Sequence, residues 1–363
     1  MNPIPYSADI ECPADDEAQT IEALIEQSEK LRRLVTDEDG HQMRTSHAKA
    51  TGYLTGELEI ASDLPPELAQ GIAGQPGRYE VLVRFAQGPG ELLPDKISTH
   101  RGMALKILDV KGERIADSRE QSTQDFVLEP GPAFIHSTPK TFLADFKMGV
   151  SNAPKMPMFF KSAVSDIARG TNAVIGNSSK ILSFLGHPSL HPLAENYFSQ
   201  VPLRWGANVA KVAFAVSEET LAAIGDKKID ASDDPNAFRH AMCDFFRDHG
   251  ATFYLCVQLC TDLDAMPIED ASVEWPQDKS AYQPVARLTL PPQDAYSEQR
   301  RQLFDERLAF QPNNSLEQHR PLGGIMRARL AVYPAMTELR MGDRRIEPHS
   351  IAEVLPDTRV EAR

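Results

Sequence analysis

The sequence predicts an α+β protein in which both halves of the chain contribute strands to one antiparallel sheet or barrel, with helices inserted between them. Three observations carry this. From His47 to about Ile135 the text is strand-like, as "GYLTGELEI", "YEVLVRFA", "GMALKILDV" and "QDFVLEP", divided by turns such as "GQPG" and "QGPGELLPD". Helical periodicity replaces it from Lys140 to about Leu185. Strands return from "RWGANVAKVAFAVS" onward.

Taken in order, residues 1–38 read as a peripheral acidic arm with one helix, because Ile21, Leu24, Ile25, Ser28 and Leu31 recur at helical spacing. Residues 39–363 are expected to form a single domain. Its barrel halves span about 47–137 and 203–292, around a helical insert at about 138–202 that holds "PKTFLADFKMGV" and "MFFKSAVSDIARGTNAV". In the second half, "ATFYLCVQLC" and "VARLTLP" read as strands, interrupted by the helix-like "DPNAFRHAMCDFFRDHG". A last helix is expected at about 322–334, where "LGGIMRARLAVY" ends on Tyr333 and Pro334.

With 363 residues the chain can bury a large core. Its 52 acidic against 38 basic residues give a formal charge of −14, which disfavours nucleic acid and anionic membrane surfaces as partners and leaves a small molecule as the default. Cys256 and Cys260 fall on one face of a strand as ordinary buried thiols. The first residues lack the basic start and apolar core of a signal peptide, and no run reaches the roughly 18 apolar residues of a membrane helix. A soluble, cytoplasmic protein is expected. His187 and His191 stand four apart in a proline-punctuated loop, which does not suggest zinc.

Two short stretches carry chemistry. In "RARLAVYPAMTELR", Arg329 precedes Tyr333 by four residues, so on a helix its guanidinium reaches the phenol oxygen and favours the phenolate. A tyrosinate is a hard anionic ligand suited to ferric iron. In "MRTSHAKA", His47 stands just before the first strand.

On these residues the chain resembles the catalases. "RARLAVYP" is similar to their proximal haem segment and "RTSHAKA" to their distal one. "VLVRFA" resembles the strand whose arginine meets a haem propionate, and "HRGMALKILD" the strand after it. All four occur in the family's order over about residues 40–345. The resemblance implies a closed antiparallel barrel of about eight strands, a C-terminal haem-binding helix, and haem b with ferric iron as cofactor. By the same resemblance Tyr333 is the iron ligand, held ionised by Arg329, while Arg44, Arg84 and Arg340 meet the propionates. Phe142 lies near the haem face or serves as an ordinary core aromatic. His47 is the implied proton carrier, with Ser46 and Glu129 in the same distal pocket.

The chain also departs from that pattern. "LEPGPAF" stands where catalases read Gly-Asn-Asn-Thr-Pro, so Glu129 or Pro130 replaces the distal asparagine. Ala86 replaces a serine that orients the histidine, Thr99 an acidic channel residue, and Ser46 a valine. The C-terminal extension or flavodoxin-like domain of larger catalases is not expected. These differences, with the loop "HPLAENYFSQVPLRWG", make the chain more similar to the smaller catalase-related haem proteins, which include organic-peroxide peroxidases and allene oxide synthase-like enzymes. The expected substrate is therefore a small-molecule hydroperoxide, organic or derived from a fatty acid, handled by peroxidase, isomerase or lyase chemistry. The alternatives are a minimal catalase that dismutates hydrogen peroxide and a non-catalytic haem carrier or sensor. Catalase relatives commonly self-associate, so a homo-oligomer is expected, with the acidic arm available to wrap a neighbour; a monomer stays open.

Overall fold

Side-chain alternation along the early strands decides which groups enter the core and which face outward. In the computed structural model, which describes residues 2–39, 44–97, 99–152 and 186–356, the strands are β1 (Lys49–Ile60), β2 (Gly77–Gln87), β3 (Arg101–Ile107) and β4 (Gln124–Pro130). They are followed by β5 (Tyr197–Phe198), β6 (Leu203–Trp205), β7 (Asn208–Val216), β8 (Ala251–Leu259) and β9 (Gln283–Leu290). Neighbours pair antiparallel in the order β5-β4-β3-β2-β1-β9-β8-β7, and β5 also pairs with β7. The ring is thus a closed barrel of eight strands, with β6 as an extra edge on β7. The two-residue β5 that closes it falls where a helical insert was expected. Part of that insert, "MFFKSAVSDIARGTNAV", lies outside the described residues.

Leu54, Leu58, Val81, Val83, Phe85, Leu105 and Phe126 point inward with residues of the second half to form the barrel core. At roughly 1.5–3 kcal/mol for each fully buried large apolar side chain, this layer is the main source of stability. The opposite face of the same strands meets solvent only toward the Glu57–Glu59 end of β1 and is covered elsewhere. It carries Tyr53 opposite Arg84, Ala86 opposite Gly102, Arg84 opposite Ala104, and Lys106 opposite Asp125.

Helices and the C-terminal third cover it. They are α1 (Glu17–Asp39), α2 (Pro139–Asn152), α3 (Glu218–Ile224), α4 (Ala237–Asp248), α5 (Glu298–Arg301), which continues as a π-helical turn over Gln302–Arg307, α6 (Gly324–Met341) and α7 (Ile351–Val354). Among the described residues no helix is long and apolar enough to cross a membrane. A second apolar cluster, with Tyr53, Leu82, Phe304 and Leu308, seals the outer face of β1 and β2.

The expectation that residues 1–38 are peripheral does not hold. Leu24 packs with Leu143 of α2 and Ala328 of α6, so α1 is a structural wall. The arm before it docks on its own chain: Ile4 N donates to Cys260 O at 2.7 Å, and Arg327 of α6 binds Glu11, Glu17 and Glu269. Glu11 and Glu269 also accept from the Gly323 and Gly324 amides at 2.7 and 2.8 Å, satisfying orphan donors at the positive end of α6.

The last helix was expected to end near Pro334, but α6 runs on to Met341. Proline removes the hydrogen bond to the carbonyl four residues earlier, that of Leu330. Asn313 Nδ2 donates to Leu330 O at 2.8 Å and replaces the lost partner, so the helix continues.

One buried ionic cluster anchors the loop that leads into α6. Lys106 Nζ, with no exposed surface, binds Glu120 at 2.5 Å and Asp125 at 2.8 Å. Asp125 also accepts from Gln311 N and Asn314 Nδ2, each at 2.9 Å. Burial pushes the Asp125 carboxyl up to about 7 despite the lysine. Removing one partner leaves charge buried and unmatched. Lys106→Ala is expected to cost about 3–5 kcal/mol, read from urea unfolding; a loss below about 1 kcal/mol would show that the cluster is not held as described.

Candidate active site

The outer face of β2–β4, the turn before β1 and the helices α1, α2 and α6 line a cavity of ≈ 1280 Å³. Its barrel side is floored by small residues, Ala86, Gly102 and Ala104, between Arg84 at one end and Glu129 at the other. Leu24, Leu31, Phe134, Phe142, Phe146, Val332 and Met336 give the facing walls their apolar character. Sequence periodicity identified α1 but gave no sign that Ser28, Leu31 and Arg32 would reach this space.

Tyr333 enters the cavity from α6, and Arg329 one turn earlier points the same way. Arg329 Nη2 donates to Tyr333 Oη at 3.3 Å and to Val127 O of β4 at 3.3 Å, which fixes the guanidinium between helix and barrel. Asn313 supports the turn that carries the tyrosine, through the Leu330 carbonyl. The i to i+4 geometry read from the sequence is present.

Arg44, Arg84 and Arg340 also line the cavity, and they converge on a residue the sequence reading missed, Asp305. Its carboxylate binds Arg44 Nη1, accepts from Arg84 Nε at 2.9 Å, and accepts from the Tyr53 hydroxyl; its main-chain oxygen accepts from Arg340 Nη1. Asp305 sits on the π-helical turn, which aims it at the outer face of β1 and β2. Burial would raise its carboxyl, but Arg84 and Arg44 outweigh burial and hold it at about 2. For Arg44, burial and the facing Arg84 charge depress the guanidinium to about 10. Burial and then the Asp305 charge push the Tyr53 phenol up, so it stays protonated and donates.

His47 lies at the other end of the floor. Its backbone is left-handed, φ 52°, a conformation uncommon outside glycine. Its ring lies against Gly102, where an added Cβ would come within 2.8 Å of Nδ1, so the glycine makes room for the imidazole. His47 Nε2 donates to Glu129 Oε1 at 2.9 Å. Glu129 and Pro130 both line the cavity, and of the two it is Glu129 that bonds the histidine and orients it. His100, at the edge of β3, packs edge-on against His47 with ring centroids 4.9 Å apart, and its Nε2 is 4.0 Å from the same carboxylate oxygen. Burial holds the His100 imidazole down at about 4, hence neutral. Burial pushes the Glu129 carboxyl up, but the facing His100 and His47 and the Arg329 charge hold it at about 2.

Ser46 lines the cavity beside His47. Phe142 stacks on Phe146 at 5.4 Å and meets Phe134 edge-on while facing the cavity, so its core and wall readings coincide. Thr99 donates to Gly88 O at 2.8 Å and is buried. The residues picked out as catalytic, cofactor-binding or metal-ligating candidates thus line one cavity, while Thr99 lies outside its lining. His100 lay inside a quoted motif without a role, because its meaning depends on the neighbour that strand pairing supplies.

No family model matches the chain, and no curated protein does. Among solved structures it is similar to a fungal catalase (18% identity, TM-score 0.59, covering 94% of this chain and 66% of that one). It is similar also to catalase A from Saccharomyces cerevisiae (16%, 0.60, 94% and 68%) and to a bacterial catalase (17%, 0.57, 94% and 64%). The fold is therefore the catalase fold, and the chain spans about two thirds of the length of those catalases.

Asn313→Leu tests how the tyrosine-bearing turn is held. It leaves the Leu330 carbonyl unpaired beside Pro334 and is expected to cost about 1–3 kcal/mol in urea unfolding. An unchanged midpoint would mean that the helix tolerates the open carbonyl without this side chain.

Proposed function

We propose that the chain is a haem-dependent enzyme acting on hydroperoxides, and on organic hydroperoxides in preference to hydrogen peroxide. The observation that carries this is one cavity holding an arginine-paired tyrosine, three clustered arginines and an imidazole–carboxylate pair. These residues fit haem. Tyr333 would ligate the iron, Arg329 would keep its phenol ionised, and Arg44, Arg84 and Arg340 would meet the propionates with planar donor forks. The floor of Ala86, Gly102 and Ala104 has no side chain large enough to obstruct a flat macrocycle. Bound there, haem would supply a redox-active ferric centre that can give up the electrons needed to break the peroxide O–O bond.

The chain's own residues handle the proton. Glu129 is ionised and held by His47 Nε2, so the pair can take the hydroperoxide proton and return it to the departing alkoxide oxygen. A glutamate in the place of a distal asparagine brings a negative charge that orients His47 and stabilises it when it takes a proton, where catalases have a neutral amide. At ≈ 1280 Å³ the cavity exceeds the roughly 300–1,000 Å³ of ordinary small-molecule sites, which leaves room beside a macrocycle for a hydrocarbon chain along Leu24, Leu31, Phe134 and Phe146. Peroxidase, isomerase and lyase outcomes share this first proton transfer.

The test is haem-loaded protein mixed separately with a fatty acid hydroperoxide and with hydrogen peroxide. A ferric spectrum that Tyr333→Phe abolishes, organic turnover that Glu129→Gln lowers about 10²–10⁴-fold, and little oxygen release from hydrogen peroxide are expected. Vigorous oxygen release would instead identify a minimal catalase. A ferric spectrum without turnover would identify a carrier or sensor, and no haem spectrum would overturn the reading altogether.

A further inference from the structure

We propose that His47, His100 and Glu129 form a binding site for one divalent first-row cation of the zinc or ferrous class, in the wall of the cavity and distinct from Tyr333. The three side chains come from three separate places: the turn before β1, the residue before β3, and the end of β4. Their ligand atoms nevertheless lie within 4.8 Å of one another. A cation bound to imidazole at about 2.0–2.1 Å and carboxylate at about 2.0–2.2 Å sets its ligand atoms about 3.0–3.4 Å apart. The His47–Glu129 pair, at 2.9 Å, stands just short of that spacing and the His100–Glu129 pair, at 4.0 Å, just beyond it, so small side-chain rotations would close the three donors on an ion.

The Nε2 of His100 faces the same carboxylate oxygen as that of His47, from 4.0 Å, a placing suited to a second arm around an ion. Two imidazoles and one carboxylate, with the remaining positions open to a cavity, match the donor set of three-ligand divalent sites. The donors are also in the binding state: burial keeps His100 neutral, and Glu129 is ionised. Arg329, the nearby cation, is engaged with Tyr333 and Val127.

The site does not depend on the hydroperoxide reading, but one consequence does. A cation on His47 Nε2 and Glu129 occupies the atoms that would carry the peroxide proton, so metal loading and turnover compete.

The experiment is calorimetric titration of chelator-treated, full-length protein with Zn²⁺, before and after haem loading. One site per chain is expected, with affinity reduced at least about 100-fold in both His100→Gln and Glu129→Gln, whose folding is checked by circular dichroism. No binding by the wild type, or binding that both variants keep, would overturn the proposal. Because the haem-free titration involves neither haem nor peroxide, its failure leaves the haem reading standing, and a failed haem reading leaves the zinc result interpretable.

Discussion

One residue, Asp305, holding guanidinium groups from three distant parts of the chain, two on its carboxylate and one on its main-chain oxygen, is the constraint on which the rest of the structure depends. Strand alternation turns Tyr53 and Arg84 away from the apolar barrel interior, onto a face that the fold then covers. A buried cation there is tolerable only with a matched anion and satisfied donors. Asp305 supplies the anion from the π-helical turn, and Arg44 and Arg340 are drawn to the same point from the segment before β1 and from the end of α6. The interaction therefore sets where the C-terminal third lies on the barrel. Two guanidinium groups meet the carboxylate and the third meets the main-chain oxygen of the same residue, and all three arginines line the cavity.

From that anchor the other parts take their places. With Arg340 held at one end of α6 and Arg327 clasped by Glu11, Glu17 and Glu269 at the other, the helix lies across β4 with Tyr333 and Arg329 facing the cavity. Pro334 would interrupt such a helix, and Asn313 offsets this by taking the carbonyl it frees. The far end of the floor belongs to β3 and β4, where Gly102 admits His47 and Glu129 faces it. The site thus divides into a cationic end, a tyrosine wall and an imidazole–carboxylate end, each fixed by a different element.

Much of this was legible in the sequence, for identifiable reasons. The period-two runs from His47 to Ile135 located β1 to β4 because those strands keep one mainly apolar face. The spacing of Arg329 and Tyr333 placed them together because helical geometry is local. The two-residue β5 was missed because its pairing with β4 and β7, not its own text, makes it a strand. Asp305 lies in "RQLFDERL", where a π-helical turn has no periodic signature, and its role exists only through residues some 35 to 261 positions away. The arm was read as peripheral because periodicity shows that α1 has an apolar face and is silent about what that face covers.

The most direct test of this account compares binding of haem with that of haem dimethyl ester, in which both propionates are capped. Each charge-assisted hydrogen bond contributes about 1.5–3 kcal/mol, so losing the propionate contacts should weaken binding by at least about 100-fold. Equal affinity for the two would contradict the proposed role of Arg44, Arg84 and Arg340, held by Asp305, as the anchor of a haem cofactor.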